Sequence, residues 1–177
     1  MKKLKINFDE LQKAMEDISR DSFDYYLDTE TGEIIALSEE LINEAKIRLY
    51  DDESDEIDED IEYIEYDVVP DVPDWIIDEV ELALEVLLDE SGRYIRISER
   101  TSDRAYQCMS EFISTIKDSV LKENLLQALN GKGAFRKFKD ILLDFPKERK
   151  RWHGFNAKCM KKEIIEWLMS IGIEPIS

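Results

Sequence analysis

The chain has little of what punctuates or staples a fold. Its 177 residues include six glycines, four prolines, two cysteines and a single histidine. So little glycine and proline excludes a collagen-like chain, and so few cysteines exclude a disulfide-built scaffold. With only His153, paired-histidine metal sites are out, and any nucleophile has one candidate histidine base. Long apolar runs are missing too. The basic start Met1-Lys2-Lys3-Leu4-Lys5 is followed at once by Asn7, Asp9 and Glu10, which leaves no apolar centre for a secretion signal. The most apolar late stretch, Ile164 to Ile173, is short and carries Glu166, too little to span a bilayer. A cytoplasmic location without membrane contact is the expectation. Cys108 and Cys159 lie inside helical patterns and read as two reduced, packed thiols.

Apolar and charged residues supply the rest. Apolar side chains make up 43% of the chain and aromatics 10%, which excludes disorder along the whole length. A chain of this size hides roughly two thirds of its unfolded surface on folding, enough for a sizeable core. We expect a single domain over residues 1–177. The net charge is −18, and it is divided unevenly. Residues 1–100 carry 32 acidic against 10 basic side chains, a net −22, whereas residues 101–177 carry 10 against 14, a net +4. The acids are densest over 51–60, where only Ser54 and Ile57 are uncharged. Mutual repulsion there reads as an exposed loop or linker. The bases are densest from Lys132 to Lys162, with 11 basic and 3 acidic side chains. Such asymmetry bears on partners rather than on fold.

Periodicity predicts the elements. Leu11, Ala14, Met15 and Ile18 repeat at helical spacing over 8–19. Two aromatic or β-branched runs, 23–28 and 33–37, flank Thr29-Glu30-Thr31-Gly32 and predict a β-hairpin, with Gly32 taking positive φ. Ser38 fits an N-cap for a helix carrying Leu41, Ile42, Ala45 and Leu49. Residues 61–69 alternate loosely as a strand and are stopped by Pro70 and Pro73; a helix follows over 74–90 and a strand over 93–97. Ser102 is the expected cap of the next helix, and Gly131-Lys132-Gly133 breaks the one after it. Further on, Pro146 opens the last segment, Gly154 divides it, and Gly172 stops it. The fold class is α+β: a small antiparallel sheet with helices in the N-terminal half, then a helical part over 101–177.

One combination goes beyond pattern. Tyr26-Leu27-Asp28 with Thr31-Gly32-Glu33-Ile34, the segment Gly131-Lys132-Gly133-Ala134-Phe135-Arg136-Lys137-Phe138-Lys139-Asp140, Trp152 with Phe155, and Glu166-Trp167-Leu168 with Gly172-Ile173 resemble a bacterial family catalogued as uncharacterised protein family 0158. The resemblance spans most of the chain, and Gly131 to Asp140 is its most specific part. It implies a fold and a bacterial origin. It implies no activity and no catalytic residues.

Several constellations bear on function. The Gly131–Gly133 turn opens a helix whose first turns hold Arg136, Lys137 and Lys139, beside Lys132. Unpaired N–H groups at a helix start favour an anion such as phosphate. The same glycines serve equally as a tight connection between two helices. The third glycine and preceding strand of a dinucleotide site are missing, as is the Gly-Lys-Ser/Thr end of a P-loop. A second basic cluster, Arg149, Lys150 and Arg151, lies beside Trp152 and His153. It could track a nucleic-acid backbone with an aromatic stacking on bases, but Trp152 falls in helical register with Phe155 and Trp167 and reads as core. The acidic run has no glycine at the sixth position of a calcium loop, where Glu56 stands. Carboxylate pairs are too common in this chain to single out a catalytic dyad. No catalytic residue, metal site or cofactor is assigned. The expected function is that of a non-enzymatic cytoplasmic binding or regulatory protein acting through protein–protein contacts, with another protein or a second copy as partner. Lys132, Arg136, Lys137, Lys139, Arg149, Lys150 and Arg151 form its anion- or acid-recognising surface. Nucleic-acid or phosphate binding through the basic C-terminal helices is the alternative.

Overall fold

The computed structural model describes residues 1–17, 20, 22–54 and 74–176, with only the backbone course over 49–54. The elements in chain order are β1 (Lys2–Lys5), α1 (Phe8–Glu16), β2 (Phe23–Asp28), β3 (Ile34–Ser38), α2 (Glu39–Ser54), α3 (Asp74–Leu87), β4 (Tyr94–Arg96), α4 (Ser102–Ser114), α5 (Ser119–Ala128), α6 (Ala134–Leu143), α7 (Pro146–Ser170) and β5 (Ile173–Ile176). The α+β class and the helical C-terminal half are as expected. The described residues group into two compact units, one of residues 4–6 and 17–97, the other of residues 1–3, 7–16 and 98–177.

The first unit is built on a three-stranded antiparallel sheet in the order β3-β2-β4. β2 is central, so Tyr26 faces Ile35 on one side and Arg96 on the other. The hairpin turn forms where expected. Gly32 has φ +82°, and a side chain there would run into the Lys5 carbonyl. Ser38 accepts from the Leu41 N–H at 3.2 Å and starts α2. α2 and α3 pack together over Leu37, Ala45, Val80, Ala83 and Val86. α2 takes in 51–54, the first four residues of the run expected to loop. Residues 55–60, and the strand expected over 61–69, lie outside the described residues.

An ion pair between a buried acid and a partly exposed base closes this unit at the hairpin. Arg93, just before β4, grips Asp28 at the end of β2 with Nε and Nη2, at 3.0 and 2.9 Å. Asp28 is only 3% exposed. Its carboxylate also accepts from the Glu30 N–H at 2.9 Å, and its carbonyl from the Gly32 N–H at 2.8 Å. The Arg93 hydrogen bonds outweigh the cost of burial and hold the Asp28 carboxyl down to about 2.

The second unit is helical. Phe112 of α4 meets Phe138 of α6 and Trp152 and Phe155 of α7 edge-on, with ring centroids 6.3, 5.3 and 5.5 Å away. Each such pair adds about 0.5–1.5 kcal/mol beyond the area it buries. Caps fix the helix starts. Asp118 accepts from the Val120 and Leu121 N–H groups ahead of α5, and Pro146 opens α7. The cap of α4 is Thr101, which accepts from the Arg104 N–H, rather than Ser102, its first helical residue. α7 runs unbroken for 25 residues, straight through Gly154. Gly172 has φ +81° and ends the chain's helical course. β5 follows it and pairs with β1, a strand the pattern did not announce.

The cysteines differ from expectation. Cys108 of α4 and Cys159 of α7 are joined in a disulfide across a sequence separation of 51, rather than lying as free thiols. Helical spacing shows which face each residue occupies, but not which helices adjoin.

Candidate functional site

The turn between α5 and α6 is made by Asn130 to Gly133. Leu129 caps α5, and Gly133, with φ +71°, is the N-cap of α6 without a side-chain hydrogen bond of its own. The Lys137 N–H donates to the Gly133 carbonyl at 2.9 Å and closes the first turn. That leaves the N–H groups of the opening residues free of helical acceptors. Phe138 and Leu142 anchor α6 in the core, so Lys132, Arg136, Lys137 and Lys139 are all exposed.

These four bases do not form one point-like cluster. At about 100° per residue, Lys137 and Lys139 lie about 200° apart around the α6 axis and so occupy opposite flanks. Lys137 faces a shallow open groove between α5 and α6, lined also by Asn124, Gln127, Asp140 and Ile141. Its ammonium folds back toward Gly131, 3.9 Å from where a Cβ would stand. Arg136 reaches Asp140 only at 4.0 Å, with both side chains largely in water. Among the described residues, Lys132, Lys137 and Lys139 make no ion pair.

The second basic cluster divides. Arg149 and Lys150 are exposed on the first turns of α7, without an ion partner among the described residues. Arg151 is built into the fold. Its guanidinium stacks over Phe112 at 5.0 Å and donates to the Thr115 Oγ1 at 2.7 Å. Its Nε pairs with Glu148 at 3.0 Å. It therefore sits at the C-terminal end of α4, where the helix dipole favours a cation. Trp152 is buried, packed 5.0 Å from Phe138, as its register implied, and stacks on nothing outside the core. His153 is exposed.

A charged cluster that the sequence did not signal lies between α1, α4 and α7. Arg100 is nearly buried. It grips Glu163 with Nε and Nη2 at 3.3 and 2.9 Å and donates from Nη1 to Asn156 at 2.9 Å. Its backbone N–H donates to the Met15 carbonyl at 2.9 Å. Arg104 pairs with Glu166 and lies 3.6 Å from Glu163. The Arg104 hydrogen bond lowers the Glu166 carboxyl below its ordinary value. The partners are more than fifty residues apart in sequence, so no local spacing could have revealed them. Every group here is spent on another, which makes the cluster structural.

Among the described residues, no group of three or more histidine, cysteine, aspartate or glutamate side chains is arranged to hold a metal ion. Nor, among them, is any helix long and apolar enough to cross a membrane.

Fold and surface together define an α+β protein whose helical unit presents an exposed basic turn. It belongs to a family described as Uncharacterised protein family (UPF0158), whose model matches residues 49–177, well over half of the chain. A member of that family from Pseudomonas aeruginosa is 21% identical over 175 residues, covering 99% of this chain and 88% of the relative. The resemblance to this family is thereby borne out, and the matched residues take in Gly131 to Asp140 but not the hairpin. No solved structure matches.

Proposed function

We propose that the chain is a binding or regulatory protein, without catalysis of its own, that recognises an acidic surface on another protein through the α5–α6 turn. One observation carries this reading. Lys132, Lys137 and Lys139 are exposed around Gly131–Gly133 with no ion partner among the described residues, in a chain of net charge −18. Carboxylates are plentiful in such a chain, so cations left unpaired in the turn and on both flanks of the start of α6 are available to a partner. Arg136, loosely held by Asp140, and the exposed pair Arg149 and Lys150 extend the surface. Arg151 does not belong to it, because its guanidinium is engaged at the end of α4. Rim charges of this kind speed association and set salt sensitivity more than they add affinity. A bacterial cytoplasm is the compartment that fits this reading. A second copy of the chain, with net −22 over residues 1–100, would offer one such acidic surface.

Phosphate or nucleic acid is the second reading, supported by the open N–H groups at the start of α6 beside the same lysines. One titration separates the two. Labelled polyglutamate, single- and double-stranded DNA, and RNA are followed by fluorescence anisotropy at several salt concentrations. Wild-type protein is compared with a K132E/K137E/K139E variant. Binding of the acidic peptide, at least tenfold weaker in the variant with an unchanged melting temperature, is the expected result. Nucleic-acid binding with a log–log salt slope of several units moves the assignment to the second reading. Binding of neither probe at low salt overturns both.

A further inference from the structure

We propose that Cys108 and Cys159 are a reversible thiol–disulfide switch, entered through the Cys159 sulfur, that locks α4 to α7. The two Cα atoms are 6.3 Å apart, a separation disulfides span without backbone movement. The helices can therefore keep their places whether or not the sulfurs are joined.

The bond is also redundant for the fold. Phe112 on α4 already packs on Trp152 and Phe155 of α7 to one side of it. Arg104 on α4 pairs with Glu163 and Glu166 of α7 to the other side. A chain with a core this large does not need a staple. A redundant crosslink between two helices that hold each other anyway suits a responsive bond better than a structural one.

The two sulfurs are not equivalent. Cys108 is 3% exposed, whereas Cys159 is only partly covered. A reagent in solution therefore meets Cys159 first, and Cys108 is the sulfur that leaves or resolves. A receiver for the released thiol is in place. Asn156 Oδ1 lies 3.8 Å from the Cys108 sulfur and also accepts from the buried Arg100. Reduction thus adds a donor to an acceptor that the Arg100–Glu163 cluster already uses.

The chemistry closes with a peroxide as oxidant. The Cys159 thiolate attacks one oxygen of hydrogen peroxide, the O–O bond breaks and hydroxide leaves, giving a sulfenic acid. The Cys108 thiol attacks that sulfur, the S–S bond forms, the S–O bond breaks and water leaves. In sum, two thiols and one peroxide become one disulfide and two waters. In the reverse direction one thiolate of an external dithiol attacks Cys159, and Cys108 departs as thiolate and takes up a proton; the second external thiol then attacks its own partner sulfur in the mixed disulfide, Cys159 departs as thiolate and takes up a proton, and the external dithiol ends as a disulfide.

The test uses the full chain in glutathione buffers of stepped ratio and, separately, in hydrogen peroxide, with free thiols tagged by a maleimide polymer and read as a gel shift. The expected result is that both thiols appear and vanish together, with the singly tagged species minor throughout. Reduction lowers the melting temperature by about 10 °C, from the loop closed across 51 residues. Thiols that stay free in oxidising buffer and peroxide overturn the switch. The entry point is read from the rate of glutathione capture, expected to be at least tenfold faster in C108S than in C159S. Equal rates overturn entry through Cys159. If either variant does not fold, partial reduction of wild-type protein decides the same point by mass spectrometry. Glutathione on Cys159 supports the proposal, and glutathione on Cys108 overturns it.

Discussion

Asp28 is an acid whose burial is tolerable only because of what surrounds it. Arg93 supplies two hydrogen bonds and the turn supplies a third. Asp28→Asn keeps the shape but loses the charge that Arg93 needs, so we expect about 2–3 kcal/mol of destabilisation in urea unfolding at neutral pH. The pH dependence has a definite sign. The folded carboxyl titrates near 2, below its ordinary 3.8. Its stabilisation is therefore complete above about pH 5 and is lost as pH falls toward about 2, amounting to about 2 kcal/mol. Wild-type protein should lose that increment between about pH 5 and pH 2 while the variant does not; parallel losses would show that another group carries the acid sensitivity. Arg151 and Arg149 make a second contrast, two residues apart on one helix. Arg151→Ala removes the stack on Phe112 and the hydrogen bonds to Thr115, and should cost about 1 kcal/mol. Arg149→Ala, at an exposed position without an ion partner among the described residues, should lie within about 0.5 kcal/mol of wild type. Urea midpoints at one pH measure both.

The elements show which features a sequence can carry. Helices α1 to α7 were legible because their apolar residues recur at helical spacing, and the hairpin because Gly32 lies between two strand-like runs. Three errors have different causes. Gly154 reads as a divider because glycine costs about 1 kcal/mol in a helix interior. Trp152, Met160, Ile164 and Leu168, all buried along α7, offset that easily. Pro175 disguises β5, a short strand that pairs with β1 alone. Thr101 and Ser102 are adjacent hydroxyls, and only the backbone angles decide between them. The candidate site was legible as charge and not as geometry. The bases were countable, but Arg151 finds Thr115 36 residues away, and Cys108 finds Cys159 at a separation of 51. One prediction belongs to this scale. Gly154 is exposed, mid-helix, with open space where a Cβ would stand. Gly154→Ala should therefore stabilise the protein by about 0.5–1 kcal/mol, raising the melting temperature by about 1–4 °C. A destabilised variant would mean that the helix needs the glycine after all.

Across the molecule, salt should act in opposite directions on stability and on binding. A net charge of −18, with −22 over residues 1–100, sets up self-repulsion that opposes the compact state. Added salt shortens the reach of that repulsion from about 30 Å at about 0.01 M to about 3 Å at about 1 M. The attractive pairs that matter most are sheltered from the same screening: the Arg100 and Glu163 side chains are 8% and 13% exposed, and that of Asp28 is 5%. The surface pairs lost to salt, such as Arg136 with Asp140, are worth little to begin with. Repulsion should thus be the larger of the two terms removed, and the melting temperature should rise by several degrees between about 0.01 M and about 0.5 M sodium chloride. Over the same range, binding of an acidic partner to Lys132, Lys137 and Lys139 should weaken, because those lysines are exposed. Thermal melting and the anisotropy titration, run in the same buffers, measure the two slopes. A melting temperature that falls with salt would mean that surface ion pairs, rather than net charge, govern the stability of this chain.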